Sequence, residues 1–291
     1  YSATIGIPAG AKVALYGTND SDGGKTNVTI PDGMSVTFFG LAGGETPTIT
    51  LDKNFDVAGS HAFIKFQNVK LEENGASYFI NQSKACTVSE FTLEDCEVSN
   101  IKNSFFRLQG SDAKSIIKLT LKNSIFTKLC AGYGFINIDA GSGAGHLDNV
   151  EIDGCTFNSI CVTGKVFIFS KKTNMQDITI KNSTFYNCNG NGQYFVDFND
   201  AKFGPNTFTI ENCIFGKSAD ERTDKNIRSK TPANVANSFR TTDFFKVIKG
   251  VYDTEFSSDQ LFTDPANGNF TIKAGTLKEK AGDPRWYVVE D

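Results

Sequence analysis

The chain contains five segments that can be written under one another: FTLEDCEV (residues 91–98), LTLKNSIF (119–126), VEIDGCTF (150–157), ITIKNSTF (178–185) and FTIENCIF (208–215). A sixth segment, IKFQNV (64–69), fits more loosely. The Asn, Asp or Gly near the centre of each segment lies at positions 68, 95, 123, 154, 182 and 212, which are 27, 28, 31, 28 and 30 residues apart. A repeat of this length is typical of a solenoid.

Each repeat unit predicts three short strands. Apolar residues alternate on both sides of a central residue type that tolerates the left-handed backbone region, which indicates a strand, a sharp bend and a second strand. A third apolar run follows in YFI (78–80), FRL (106–108), INI (136–138), FIF (167–169) and VDF (196–198). Three strands per coil predict an all-β, right-handed, single-stranded parallel β-helix with coils about 4.8 Å apart. A leucine-rich repeat is the alternative at this period, but its helical segment and leucine spacing are missing.

Equal registers predict columns of stacked side chains. One inward column should contain Val98, Phe126, Phe157, Phe185 and Phe215, and another should contain Leu129, Ile160 and Cys188. An outward column should alternate in sign through Glu94, Lys122, Asp153, Lys181 and Glu211, which favours pairing between neighbouring coils. The turn residues Asn68, Asp95, Asn123, Asn182 and Asn212 should form a ladder. We interpret all four columns as scaffold.

The regular repeat divides the chain into three parts of one continuous domain. Residues 1–62 are expected to form irregular N-terminal coils and a cap, residues 63–215 the regular coils, and residues 216–291 the C-terminal coils and a cap. An open coil end exposes core and unpaired backbone, so terminal units must cover it. We expect the single tryptophan, Trp286, to belong to that C-terminal cover.

Composition excludes several classes of function. The 291 residues include 26 Phe and 27 Gly, as expected for short strands joined by tight turns, and the net charge is −4. No run of Lys and Arg offers a nucleic-acid surface, and no apolar stretch is long enough for a transmembrane segment or resembles a signal peptide. The chain is expected to be a monomer. Cys130 and Cys161 share a register on adjacent coils, so a disulfide there is an open alternative to free thiols.

The Asn-turn repeats, the segment LFTDPANGNFTI (261–272) and the closing AGDPRW (281–286) resemble the pectate-lyase-like right-handed β-helix superfamily. More narrowly, they resemble a gut-bacterial surface or secreted family built of two paired domains of unknown function. The resemblance implies a link to polysaccharide utilisation and a location that is extracellular or on the outer-membrane surface of a Gram-negative bacterium, commonly as a lipoprotein.

The resemblance also implies where a sugar would bind. In sugar-active members of the superfamily the working surface is the outward face of the third strand. The sequence register places Phe79, Arg107, Asn137, Ile168 and Asp197 in one outward column of that face, and Asn81, Gln109, Asp139, Ser170 and Asn199 in the next. Amides, carboxylates and an aromatic ring can hydrogen-bond sugar hydroxyls and stack on a pyranose. All of these except Ile168 are the predicted ligand-binding residues.

Catalysis would need more than this face offers. A uronate lyase needs carboxylates that hold Ca²⁺ and a basic Arg or Lys, and a glycosidase needs two carboxylates about 5–10 Å apart. The catalytic candidates are Asp139, Asp197 and Asp200, with Arg107 or Lys171 as the base. The polygalacturonase signatures of the superfamily are absent. No metal site is predicted, and Ca²⁺ enters only under the lyase alternative.

Two functions remain open from the sequence. The first is a non-catalytic polysaccharide-binding β-helix protein. The alternative is a polysaccharide lyase or glycoside hydrolase that acts on a uronate-containing glycan. A stalk without a small ligand is a third, less specific reading.

Overall fold

The computed structural model describes residues 1–140 and 144–288 and shows a parallel β-solenoid of about seven turns with a period of roughly 28 residues. The all-β parallel architecture predicted from the repeat is therefore confirmed. Each regular coil contributes one strand to each of three long sheets, because the chain bends at fixed points of the repeat and neighbouring coils pair in register.

The strands are numbered in chain order. Sheet 1 contains β1 (Ser2–Ile7), β3 (Ser35–Gly40), β5 (Gly59–Gln67), β8 (Cys86–Glu94), β11 (Lys114–Lys122), β14 (Gly145–Asp153), β17 (Met175–Lys181), β20 (Pro205–Glu211) and β23 (Asn234–Ala236). Sheet 2 contains β2 (Lys12–Leu15), β4 (Thr48–Leu51), β6 (Lys70–Glu73), β9 (Glu97–Ser99), β12 (Ile125–Leu129), β15 (Thr156–Ile160), β18 (Thr184–Tyr186), β21 (Ile214–Phe215), β24 (Phe239–Arg240) and β25 (Tyr252–Asp253). Sheet 3 contains β7 (Tyr78–Gln82), β10 (Ser104–Leu108), β13 (Ile136–Ile138), β16 (Ile168–Ser170), β19 (Val196–Asp197) and β22 (Ile227–Arg228).

The turn ladder between sheets 1 and 2 forms as predicted. Asn182 has a φ of 48°, and the other predicted turn residues also have positive φ values. The Asn182 amide donates to Asp153 Oδ1 at 2.8 Å and accepts from Asn212 Nδ2 at 3.1 Å. Gly154 interrupts the ladder because it has no side chain. A Cβ at that position would lie 2.6 Å from Asn123 Oδ1, so there is no room for a larger residue.

The predicted side-chain columns are also present. Phe126 pairs in register with Phe157, and the rings of Phe157 and Phe185 stack with centroids 4.9 Å apart. Lys122 pairs with Glu94 on one side and Asp153 on the other, so the outward charges alternate as expected. The core is therefore a stack of apolar layers that runs through the coils.

The first coils are less regular than the middle ones. Within residues 1–77, all of which are described, sheets 1 and 2 already have strands, whereas sheet 3 has none. Single bridges from Val28 to Phe55 and from Phe55 to Ile80 lead into sheet 3 instead. Ile5 and Val13 are exposed at this end.

Residues 216–291 include the expected cover of the C-terminal coil end, but their last part lies elsewhere. The core there is closed by Phe244 and Ile248, which are buried, and Phe244 packs on Phe215 with ring centroids 5.2 Å apart. Residues 256–288, which we call the strap, instead lie along the outside of sheet 2. The strap contains α1 (Ser258–Leu261), β26 (Phe262–Asp264), the 3₁₀ turns η1 (Pro265–Asn267) and η2 (Pro284–Trp286), and β27 (Asn269–Ile272).

The strap reaches sheet 2 through a second apolar cluster and buried hydrogen bonds. Phe262, Phe270 and Trp286 pack over Tyr186 and Ile214, which lie on sheet 2. Trp286 was expected to cover a coil end, but its indole N–H donates to Thr156 Oγ1 at 2.8 Å, on β15 in the middle of the solenoid. The outward residues of sheet 2 there are small or apolar, so they offer a surface on which the strap can bury its aromatic rings.

The cysteines are free thiols. All seven are buried, and Cys130 and Cys161 are neighbours without a disulfide. Burial raises the pKa of the Cys86 thiol to about 11. Across residues 1–140 and 144–288, no helix is long and apolar enough to cross a membrane.

Candidate functional site

The outward face of sheet 3 carries one column of side chains that we call the floor. The strand registers pair Asn81 with Arg107, Arg107 with Asn137, Asn137 with Phe169, Phe169 with Asp197, and Asp197 with Arg228. Successive floor residues come from neighbouring coils, about 4.8 Å apart. Arg107, Asn137 and Asp197 therefore share a column, as the sequence predicted.

Two floor positions differ from the predicted register. Phe79 was expected on the outward face, but it is fully buried and stacks on Phe105 with ring centroids 5.3 Å apart. Asn81 takes the outward place two residues later. Ile168 is also fully buried, and Phe169 takes its place as a half-buried aromatic residue.

A second column, the near wall, follows the floor along each strand. Gln109, Asp139 and Lys171 occupy equivalent places, because the Asp139 N–H donates to Leu108 O and the Lys171 N–H donates to Ile138 O. Asn199 lines the same side of the groove. Ser170 was predicted here but points inward: it is fully buried, and its hydroxyl donates to Thr173 O at 2.8 Å.

A third column, the far wall, precedes the floor. The rings of Phe135, Phe167 and Phe195 stack in the core with centroid distances of 5.0 and 5.2 Å. The residues two positions before these rings therefore share a register on successive coils. They are Tyr133, Lys165 and Gln193.

The floor and the two walls enclose a groove of about 400 Å³ across three coils. The first row of side chains across it is Tyr133, Asn137 and Asp139. The middle row is Lys165, Phe169 and Lys171. The third row is Gln193, Asp197 and Asn199. Eight of these nine residues line the groove, and Asp197 lies buried beside it.

One end of the groove is formed by Arg107. Its guanidinium donates to Asp139 Oδ2 through Nε at 3.1 Å and Nη2 at 2.9 Å. The same group lies 3.8 Å from the ring centroid of Tyr133 and 5.8 Å from that of Tyr78. Burial disfavours the charged guanidinium, but the hydrogen bonds and charge of Asp139 outweigh it, and the pKa of Arg107 is raised. At this end of the groove, the ion pair between Arg107 and Asp139 therefore lies against the rings of Tyr78 and Tyr133.

Two acceptor atoms at this end lack a hydrogen-bond partner among the described residues. They are Asn81 Oδ1 and Asp139 Oδ1, and both are shielded from solvent. An unsatisfied buried acceptor costs about 1–3 kcal/mol. Native proteins keep few such atoms.

The other end of the groove repeats the same chemistry. Arg228 donates to both oxygens of Asp197, through Nε at 2.7 Å and Nη2 at 2.9 Å. Its guanidinium lies 5.0 Å from the ring centroid of Tyr194. The hydrogen bonds to Asp197 raise the pKa of Arg228. Each end of the floor thus pairs an arginine with an aspartate beside a tyrosine.

The structure brings the candidate catalytic residues together only in part. Asp139 and Asp197 are both held in arginine pairs and are separated by two coils and two residues along the strand, about 12 Å between Cα atoms by strand geometry. Asp200 accepts from the Lys202 N–H at 2.9 Å and does not line the groove. Lys171 is exposed on the near wall. Arg107 keeps its proton, as guanidinium groups do in proteins, and its pKa is raised further by Asp139.

Metal-ligating side chains do not converge here. Within residues 1–140 and 144–288, no group of three or more His, Cys, Asp or Glu side chains lies close enough together to hold a metal ion. His61 is buried, with its ring nitrogens 2.6 Å from Met34 O and 2.9 Å from Ala58 O.

Four of the nine residues in the three rows were not predicted from the sequence. They are Tyr133, Lys165, Phe169 and Gln193. The usable signal was a phenylalanine at or just before the start of each third run, because aligning Phe105, Phe135, Phe167 and Phe195 gives the correct register.

Comparison with known families gives a match over residues 178–286 to a family described as Domain of unknown function (DUF5123). No curated protein and no solved structure matches the chain. The matched range covers rather more than a third of the chain, beginning in β17 and ending at Trp286 in the strap. The match and the β-solenoid together fit a β-helix family.

Proposed function

We propose that this chain is a polysaccharide-binding β-helix protein that holds a glycan in the groove on sheet 3. The single observation that carries the proposal is the composition of the groove. Phe169 offers a half-buried ring at its centre, and amides, carboxylates and ammonium groups surround the ring on a rigid sheet. Aromatic faces stack on sugar rings, and fixed polar groups select hydroxyls.

The shape of the groove supports an extended ligand. Its three rows come from successive coils, so a chain molecule lying across the strands would meet one row about every 4.8 Å. The Arg107 and Arg228 ends are braced by ion pairs, which keeps the floor preorganised and lowers the ordering cost on binding. The proposed binding unit is a monomer.

The resemblance of the strap motifs to the pectate-lyase-like superfamily adds a setting to this proposal. A protein of this kind would act in polysaccharide utilisation, outside the cell or on the outer-membrane surface of a Gram-negative bacterium. Non-catalytic binding is favoured over a lyase or hydrolase because Asp139 and Asp197 are already committed to arginines.

Retention of the purified chain on immobilised pectins, uronans and neutral plant and host glycans tests the proposal. We expect retention on at least one glycan and a loss of at least tenfold in affinity for Phe169→Ala. Tyr1→Ala is the matched control, because Tyr1 is 80% exposed and distant from sheet 3. No retention on any glycan, or equal retention by both variants, would overturn the proposal.

The same incubation tests the enzymatic alternative. Added Ca²⁺ and an assay for unsaturated or reducing-end products would reveal a lyase or hydrolase. Product that disappears in Asp139→Asn or Asp197→Asn would replace binding by catalysis as the function.

A further inference from the structure

We infer that the ligand of the groove is an anionic glycan, whose carboxylate or sulfate groups are held across the middle row by Lys165 and Lys171. This inference rests on the proposed function and adds the substrate class. It follows from where the charges of the groove are and which of them are already paired.

The lysines of the middle row have no acidic partner in the part of the chain that the structure describes. Neither Lys165 nor Lys171 forms a salt bridge within the described residues, although eleven other ion pairs are present there. Both acidic side chains of the groove are taken by arginines instead, Asp139 by Arg107 and Asp197 by Arg228. The two ammonium groups are therefore free to bind a ligand.

The charge balance of the groove is opposite to that of the chain. The groove is lined by two ammonium groups, Lys165 and Lys171, and by one carboxylate, Asp139, whose charge Arg107 balances, so the lining is net positive while the whole chain carries −4. A local positive surface on a negative protein attracts an anionic ligand to one place and not to the rest of the molecule.

The arrangement also fits the geometry of a charged sugar. Lys165 and Lys171 lie on opposite walls of one coil, with the Phe169 ring between them. A pyranose stacked on that ring would direct its equatorial substituents toward the walls, within reach of flexible ammonium groups. A neutral sugar would use the ring but leave both cations without a partner.

The test uses matched pairs of polymers that differ only in the anionic group. These are polygalacturonate against its fully methyl-esterified form, and dextran sulfate against dextran. We expect binding to at least one anionic member at least tenfold tighter than to its neutral partner. The pair that shows the difference tells whether carboxylate or sulfate is the group recognised.

The variants separate specific recognition from general ion exchange. Lys165→Gln and Lys171→Gln should each lower affinity about tenfold and should reduce the salt dependence of binding, since each removes one charged contact. Lys122→Gln, an exposed lysine on sheet 1, is the control and should change neither. An equal loss in the control would overturn the inference.

Failure of the inference can be told apart from failure of the proposed function. Binding to neutral glycans that Phe169→Ala abolishes and the lysine variants leave unchanged would overturn the anionic class and retain the groove as a glycan site. Absence of binding to every polymer would remove both.

Discussion

At the scale of single residues, the turn ladder sets how the chain bends between sheets 1 and 2. Asn182 combines a left-handed backbone with two side-chain hydrogen bonds along the ladder. A left-handed conformation costs a residue with a Cβ roughly 1–2 kcal/mol, and each lost hydrogen bond costs about 1 kcal/mol. The two contributions can be separated by substitution.

We predict that Asn182→Ala lowers the free energy of unfolding by about 2–3 kcal/mol and that Asn182→Gly lowers it by about 1–2 kcal/mol. Glycine keeps the left-handed conformation without strain but cannot bond to Asp153 or Asn212. Chemical denaturation measures both values. Equal losses in the two variants would show that the backbone conformation contributes nothing at this position.

The residue scale also shows where sequence reasoning reaches its limit. The sheet 1 and sheet 2 registers were predictable, because strict alternation flanks a recognisable turn residue. The sheet 3 register was not, because each strand enters through two consecutive buried residues, such as Phe105 and Phe106, which break the period of two. As a result, the predicted outward column contained Phe79 and Ile168, whereas the structure has Asn81 and Phe169 in those two places.

At the scale of elements, the strap is the feature that repeat analysis did not predict. Its apolar residues could equally have covered a coil end, and no local pattern distinguishes the two destinations. The strap packs on sheet 2 because the outward face of that sheet offers a complementary surface. That surface includes Thr156 and Thr184, both buried under the strap.

We predict that Thr156→Val weakens docking of the strap by about 1–3 kcal/mol and leaves the solenoid folded. Thr156 Oγ1 accepts from the Trp286 indole and donates to Asp283 Oδ2 at 2.7 Å, so valine leaves the indole N–H and the buried Asp283 carboxylate without that partner. Trp286 is the only tryptophan, and its fluorescence therefore reports the strap while circular dichroism reports the coils.

The control for this measurement is Thr127→Val on β12. Thr127 is half-buried on the same sheet and makes no side-chain hydrogen bond within the described residues. It should leave the fluorescence transition unchanged. If the fluorescence and circular dichroism transitions of Thr156→Val coincide, the strap does not detach before the coils unfold, and the prediction is wrong.

Docking of the strap should also depend on pH through Asp283. Burial raises the pKa of this carboxyl, while Arg285 and Thr156 partly oppose the shift. Because the pKa is higher in the docked state than in the free one, the contribution to docking is fully present below the free value near 3.8 and is lost as pH rises through the raised value.

We therefore expect Trp286 fluorescence to show a more stable strap at acidic pH than at neutral pH in the native chain. Asp283→Asn should flatten this dependence, because the side chain then has no proton to gain. A strap of Asp283→Asn that keeps the native pH profile would assign the dependence to another group.

At the scale of the whole molecule, most of the architecture could be predicted because a solenoid repeats one local solution. The period, the Asn turns and the phenylalanine columns all follow from residues within one coil. The groove could be predicted only in part, since its floor depends on alignment between coils and its far wall on loops of unequal length. Arg107, Asn137 and Asp197 were correctly placed in one column because their strands have a single outward residue.

The strap also affects the order in which the coils unfold. In an array whose units touch only their neighbours, either end can melt away one layer at a time. Here the strap bonds to Thr156, Thr184 and Asn212, on three successive coils, and fastens them into one block. Unfolding should therefore begin at the N-terminal end of the solenoid. Backbone amides of β1 and β3 should exchange with deuterium before those of β18 and β20. The opposite order would show that the strap does not stabilise the coils to which it bonds.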